Sequence, residues 1–123
     1  MKSMRESGAA AVEFALVVPI LLVLVLGIVE FGFLTFLNAS AAGAAREGAR
    51  EMAISQNQGQ AQGVASSAFA NTTGRPPTLV TVPGTCSAGA PVIVTVTYSY
   101  PTLTRFFVPN FTASGTGEMR CGG

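Results

Sequence analysis

The sequence predicts an α+β protein: a long N-terminal transmembrane α-helix that continues outside the membrane, followed by a small antiparallel β-sheet head. Residues 12–37 are almost continuously apolar, and residues 38–70 are rich in helix formers and lack proline. Further along, residues 79–82 and 92–98 are rich in β-branched side chains. We therefore divide the chain into a leader (1–8), a transmembrane helix (9–37), a helical extension (38–70) and a β-rich head (71–123).

The composition is typical of a protein that avoids water over much of its length. Of its 123 residues, 49% are hydrophobic and 11% are charged, against about 25% charged residues in soluble domains. The net charge of +1, without a cluster of Lys and Arg, argues against nucleic-acid binding. The length beyond a membrane helix is enough for one small domain, so we expect no large substrate cleft.

The apolar segment is long enough to span a bilayer. At 1.5 Å per residue, residues 12–37 extend about 39 Å, more than the ~30 Å hydrocarbon thickness. Lys2 and Arg5 precede it, and the next basic residue is Arg46. The positive-inside rule therefore places the N-terminus in the cytoplasm and the C-terminal part outside.

A cleaved secretory signal is the main alternative for this segment. Its small-residue cleavage site would be Ala39-Ser40-Ala41. However, the apolar region is longer than the usual 7–15 residues and contains two glutamates, so we favour a membrane helix.

The helical extension carries a strip of small side chains. Alanine recurs every four residues, at Ala41, Ala45, Ala49 and Ala53. Such a strip lets another helix or a sheet approach closely, although a plain solvated helix also contains many alanines because alanine is the best helix former. Two charged pairs occupy other faces: Arg46 with Arg50, and Glu47 with Glu51. We expect the helix to fray or break near residues 57–60.

The remainder is predicted to form a small sheet. A loop at residues 71–77 precedes the strands at 79–82 and 92–98, and a third strand is expected at 113–120. In the connection between the last two strands, Phe106 and Phe107 are expected to cover the sheet.

Two cysteines, Cys86 and Cys121, lie on the same side of the predicted membrane. If that side is oxidising they can form a disulfide, and the alternative is two unrelated buried thiols. A zinc site is excluded, because the chain has no His and two sulfurs supply half a tetrahedral shell.

The most specific motif is Gly8-Ala9-Ala10-Ala11-Val12-Glu13-Phe14, in which one glutamate opens the apolar segment. A carboxylate in a membrane helix is unfavourable unless it is neutral, paired or at the interface. Glu13 therefore either has a specific partner or lies at the cytoplasmic interface. Glu30 is about 25 Å further along, so it either marks the opposite interface or contacts another subunit.

These residues resemble the type IV pilin superfamily, in which prepilin peptidase cuts after a glycine and leaves glutamate as the fifth mature residue. The likeness narrows to the TadE-like family through three segments in order: the motif with Pro19, then Glu30-Phe31-Gly32, then residues 44–50. That family consists of pseudopilins or minor pilins of tight-adherence (Flp-type) pili. The likeness is strong over about the first 55 residues.

The resemblance implies cleavage between Gly8 and Ala9 and roles for Glu13, Phe14, Pro19 and Glu30 in subunit assembly. Pro19 would match the helix interruption of pilins, or be a kink without function. The implied partners are other pilin and pseudopilin subunits, prepilin peptidase, the inner-membrane assembly platform and membrane lipid. The implied location is the bacterial inner membrane, in a single pass, with the head outside and possible incorporation into a surface pilus.

Two function classes remain from the sequence. The first is an assembly subunit of a Tad pilus for adhesion or secretion, and the second is an uncleaved envelope protein whose head binds a ligand or partner. An enzyme is disfavoured, because the chain has no His, no nucleophile elbow and no phosphate-binding glycine loop. We expect no cofactor.

Overall fold

The computed structural model describes residues 2–102, 105 and 108–122. Two helices precede three strands: α1 (Lys2–Ser55), α2 (Gln58–Thr73), β1 (Leu79–Thr81), β2 (Pro91–Pro101) and β3 (Asn110–Arg120). The predicted α+β class is therefore confirmed. The chain forms two compact units, Met1–Gly32 and Phe33–Gly123. Phe106 and Phe107, which we expected to cover the sheet, lie outside the described residues.

The first unit is the N-terminal part of α1. Its large apolar side chains between residues 12 and 29 are mostly exposed on every side of the helix. A helix that is apolar all round requires an apolar environment, and water does not provide one. Among the described residues, α1 is the one helix long and apolar enough to cross a membrane, with a mean hydropathy of 2.9 in its most apolar stretch. By length and composition it fits a single-pass membrane anchor.

In the second unit, α1 turns its small side chains inward. Ala41, Ala45 and Ala49 are fully buried, whereas Ala53 at the end of the strip is half-buried. The same face buries Leu37, Ala44, Gly48 and Met52. The predicted strip is therefore a packing surface on which β3 lies, and α2 packs beside it at Gly48.

A two-residue connection turns the chain from α1 into α2. Gln56 has a positive φ of 54°, and the Asn57 side chain accepts a hydrogen bond of 3.1 Å from the Gln60 backbone N–H. This is an N-cap, which satisfies a backbone donor at the start of a helix. A Cβ on Gly48 would contact Ala65 and the Ala61 carbonyl, so the two helices pack closely. The break falls close to the predicted position, but a second helix follows it.

Helix α2 ends later than the sequence indicates. Its last turn includes residues 71–73, which we expected to be loop. The hydroxyl groups of Thr72 and Thr73 donate to the carbonyls four residues before them, which accommodates threonine in a helix. Gly74 then adopts the left-handed conformation, with φ 76°, and its N–H donates to the Ala70 carbonyl. This glycine cap ends the helix.

The sheet is antiparallel, with strand order β1-β2-β3. Both predicted long strands extend beyond the sequence-based bounds, and β2 pairs with β3 over its full length, from Pro91 opposite Arg120 to Pro101 opposite Asn110. Alternate residues of β2 are buried: Val92, Val94, Val96, Tyr98 and Tyr100. This face forms the core with the two helices, and Phe69 of α2 packs against Tyr98 with ring centroids 5.4 Å apart.

Strand β3 lies directly on the backbone of α1. A Cβ added to Gly115 would collide with backbone atoms of Ala41 and Ala42, and one added to Gly117 would collide with those of Ala45 and Arg46. The two glycines are two residues apart in a strand, and their contacts are four residues apart in a helix. Both spacings are about 6–7 Å, so β3 follows the helix axis.

The disulfide joins Cys86, in the loop before β2, to Cys121, just after β3, with Cα atoms 5.6 Å apart. The disulfide expected from the sequence is thus present. Two backbone hydrogen bonds of 2.9 Å support it, from Gly89 N–H to the Cys121 carbonyl and from Cys121 N–H to the Ala90 carbonyl. Together these links fasten the loop before β2 to the end of β3.

We expect Gly117→Ala to lower the free energy of unfolding of the second unit by about 3 kcal/mol, because the added methyl group meets helix backbone that cannot rotate away. Thermal unfolding of the full chain in detergent, followed by circular dichroism, measures this. The control is Thr116→Ala, on the exposed face of the same strand, which should change stability by less than about 1 kcal/mol. Equal effects of the two variants would contradict the close contact.

Loss of the disulfide in the double variant Cys86→Ser/Cys121→Ser should lower the free energy of unfolding by about 2–4 kcal/mol, because the bond closes a loop of 35 residues. The non-reduced protein should also weigh about 2 Da less than the reduced protein, as one disulfide requires. Reducing agent should destabilise the natural chain and leave the double variant unchanged. Two freely alkylated thiols in the non-reduced protein would refute the pairing.

Candidate functional site

The residues proposed for processing lie on the surface of the N-terminal part of α1. Gly8 and Ala9 are both helical and exposed, and a side chain at Gly8 would meet no atom within 4 Å. A peptidase acting there would need to unwind only the first turns of the helix, which open at little cost near a terminus.

Glu13 stands on an apolar face of the same helix. Ala10, Glu13, Phe14 and Val17 line one shallow hollow, since residues three and four apart share a helix face. Glu13 is exposed and Phe14 is 71% exposed. Within the described residues, Glu13 has no hydrogen bond or ion pair. A carboxylate among apolar side chains that enter a membrane is stabilised by a cation brought to it.

Pro19 lies inside α1, which continues through it from Lys2 to Ser55. The structure therefore shows no break in the helix at this position. Proline has no N–H, so the Ala15 carbonyl lacks its usual donor within the helix. In a membrane, such a carbonyl is satisfied by a neighbouring helix, a side chain or water.

Glu30 differs from Glu13 in its surroundings. It is 6% exposed, whereas Glu13 is exposed. The two lie 17 residues apart on one continuous helix, which is about 25 Å. They therefore form two separate sites, and no contact between them is possible within one chain. Cys86 and Cys121, by contrast, are brought into direct contact.

Sequence reasoning missed the residues that attach the sheet to the helix. Gly115 and Gly117 were not singled out, nor was the hydrogen bond of 3.0 Å in which the Ser114 N–H donates to the Asn38 side-chain oxygen. The sequence does contain a signal for this contact. Two glycines lie on one face of a predicted strand, and the same chain has an alanine strip. Glycine inside a strand often marks close approach of another backbone.

The described residues contain no group of three or more His, Cys, Asp or Glu side chains placed to hold a metal ion. The exposed features of the described residues are surfaces. They consist of an exposed apolar helix with one carboxylate and a small head with charged and apolar patches.

Comparison with known proteins gives one match. Residues 8–50 match the family described as TadE-like protein, which is about a third of the chain. The matched region contains Gly8, Ala9, Glu13, Phe14, Pro19 and Glu30, together with most of the small-residue strip. No curated protein and no solved structure matches significantly.

The match begins at the glycine of the motif and ends within the helical part of the Phe33–Gly123 unit, so it covers the residues that carried the resemblance. Similarity to this family indicates a protein that associates with Tad pilus components. Residues 8–50 of the chain are thus similar to the TadE-like family.

Proposed function

We propose that this protein is a pseudopilin or minor pilin that prepilin peptidase cuts after Gly8 and that takes part in assembly of a Tad (Flp-type) pilus for adhesion or secretion. One observation carries the proposal: an exposed apolar helix with a carboxylate that lacks a partner among the described residues, five positions after an exposed glycine. That arrangement lies inside the TadE-like region.

Cleavage would supply the missing partner for the carboxylate. Cutting the bond between Gly8 and Ala9 removes residues 1–8 and makes Glu13 the fifth residue. The new α-amino group at Ala9 is a cation four residues from Glu13, about one helical turn away. It can pair with Glu13 of the same chain or of a neighbouring subunit. In the low dielectric between packed helices such a pair is strongly favoured over an unpaired charge.

The orientation follows from charge and from the cysteines. Lys2 and Arg5 precede the apolar segment, which favours a cytoplasmic N-terminus and an extracytoplasmic head. A disulfide in the head agrees with an oxidising compartment. We therefore propose a single-pass inner-membrane protein whose apolar helix from residue 9 onward lies in the membrane, with the Phe33–Gly123 unit outside and later incorporation into a pilus.

The proposed partners follow from these surfaces. Prepilin peptidase acts at Gly8 and Ala9, lipid covers the apolar helix before assembly, and other pilin and pseudopilin subunits replace lipid afterwards at the inner-membrane platform. We propose a structural role and no catalysis. The alternative is an uncut envelope protein whose head binds a ligand, and it differs from assembly in the mass of the mature chain.

We expect mature protein from its native membrane to begin at Ala9, as shown by N-terminal sequencing and intact mass. Gly8→Leu should abolish this cut, because a large side chain replaces a small one at the peptidase site. Gly27→Leu is the matched control: it places the same side chain in open space on the same helix. Full-length natural protein in piliated cells, or normal trimming of Gly8→Leu, would leave the anchored envelope protein as the better account.

We expect Glu13→Leu to be inserted and cut normally but to lose at least about 90% of piliation. The replacement eases insertion by removing a charge, and it leaves the Ala9 amine without a carboxylate to meet. Copy number, processing and piliation are scored in the same cells. Glu6→Leu is the control, since that glutamate is discarded with the leader. Normal piliation of Glu13→Leu would reduce Glu13 to an interfacial residue, and its degradation before processing would indicate a role in stability.

A further inference from the structure

Two charged stripes run along the exposed side of α1 within the Phe33–Gly123 unit. The arginine stripe is Arg46 with Arg50, and the glutamate stripe is Glu47 with Glu51. Arg46, Arg50 and Glu47 are exposed, and Glu51 is half-buried. At 3.6 residues per turn the two stripes lie about 100° apart around the helix. They therefore face different neighbours.

The two stripes lie next to different elements of the head. The arginine stripe borders β3, where Arg50 and Arg120 flank a hollow lined by Ala53, Ile54 and Met119. Both charges at this hollow are positive. Ile54 at its edge is 71% exposed.

The glutamate stripe borders α2. Glu47 lines a groove between the helices whose other walls are neutral and include Val64, Ser67, Ala68 and Asn71. The only charged side chain among the residues lining this groove is the carboxylate of Glu47. One side of the helical part of the head is thus basic and partly apolar, and the other side is acidic.

Within the part of the chain that the structure describes, the stripes are not neutralised. Among the described residues, no ion pair involves Arg46, Arg50, Glu47 or Glu51. Each stripe places like charges four residues apart, which disfavours an isolated helix. A partner that brings opposite charges to each stripe relieves this repulsion.

We infer that the arginine stripe of one copy docks on the glutamate stripe of a second copy. This rests on the proposed membrane insertion, which makes all copies parallel. Two parallel copies without axial stagger place Arg46 beside Glu47 and Arg50 beside Glu51, each offset by one residue, or about 1.5 Å. The complementary stripes are already in register, and docking there also covers the apolar hollow at Ile54.

Such a contact is heterologous, because each copy uses its basic side toward one neighbour and its acidic side toward another. Heterologous contacts generate rings or open helical arrays. Because this contact has no axial stagger, it is suited to a ring or a row of copies in the plane of the membrane.

The test uses the full chain in phosphatidylcholine vesicles, with donor and acceptor dyes on the N-terminal amines, and measures energy transfer as lipid dilutes the protein. Two charge-reversed variants are compared with the natural chain: Arg46→Glu/Arg50→Glu and Glu47→Arg/Glu51→Arg. Each alone should associate at least about tenfold more weakly, since attraction becomes repulsion at two positions. A mixture of the two should recover association, because opposite charges then meet across the contact.

Neutral variants distinguish charge pairing between two copies from effects of the substitutions on folding. Arg46→Gln/Arg50→Gln and Glu47→Gln/Glu51→Gln should each weaken association, and mixing them should not restore it. Glu118→Arg and Arg105→Glu change the charge at exposed positions outside the stripes and should have little effect. Circular dichroism confirms that each variant is folded. Association that is absent in the natural chain, insensitive to the reversals or not rescued by mixing would overturn the inference.

The assay needs neither prepilin peptidase nor a pilus. Its failure therefore leaves the proposed cleavage and assembly role intact. Conversely, an uncut mature chain in the native membrane would refute the proposed function without bearing on the energy-transfer result.

Discussion

Gly115 and Gly117 let β3 rest on the backbone of α1, and the rest of the Phe33–Gly123 unit depends on that contact. The helix contributes Ala41 and Ala45 at the same heights, so neither element holds the other away with side chains. The Ser114 to Asn38 hydrogen bond continues the contact toward the start of this unit. Because β2 pairs with β3 along its full length, the position of the whole sheet follows from these few small residues.

This packing explains how a short chain manages without a large core. The biggest fully buried side chains are few: Phe69, Leu37, Met52, Val92, Val94 and Val96. Small domains with limited burial are marginal unless a covalent link adds stability. The Cys86 to Cys121 disulfide provides that link at the end of the unit where β3 stops. The close approach of the β3 and α1 backbones and the disulfide together stabilise a unit that has few large buried side chains.

Composition and hydropathy predict the parts of this protein that depend on local chemistry. The apolar helix, the β-branched strands and a helix break near residues 57–60 follow from residue types within a few positions, and the break lies at residues 56 and 57. The partner of the alanine strip could not be predicted, because Gly115 and Gly117 lie some 70 residues away in the chain and glycine in a strand has several explanations. Likewise, the sequence indicates that Glu13 requires a partner, but neither its exposure nor the burial of Glu30 follows from spacing. Helix α2 continues through Thr72 and Thr73, whose hydroxyl groups bond to carbonyls one turn back, and the Gly74 cap then ends it.

The contact between β3 and α1 is the central claim, and proton distances measure it most directly. In isotope-labelled full-length protein in detergent micelles, nuclear Overhauser effects should connect the Hα protons of Gly117 with the amide proton of Arg46. Equivalent effects should connect Gly115 with Ala42, since both strand residues lie against helix backbone. Backbone chemical shifts report independently whether α1 and β3 are formed. If both elements are formed and these cross-peaks are absent, the sheet is not seated on the helix and the account is wrong.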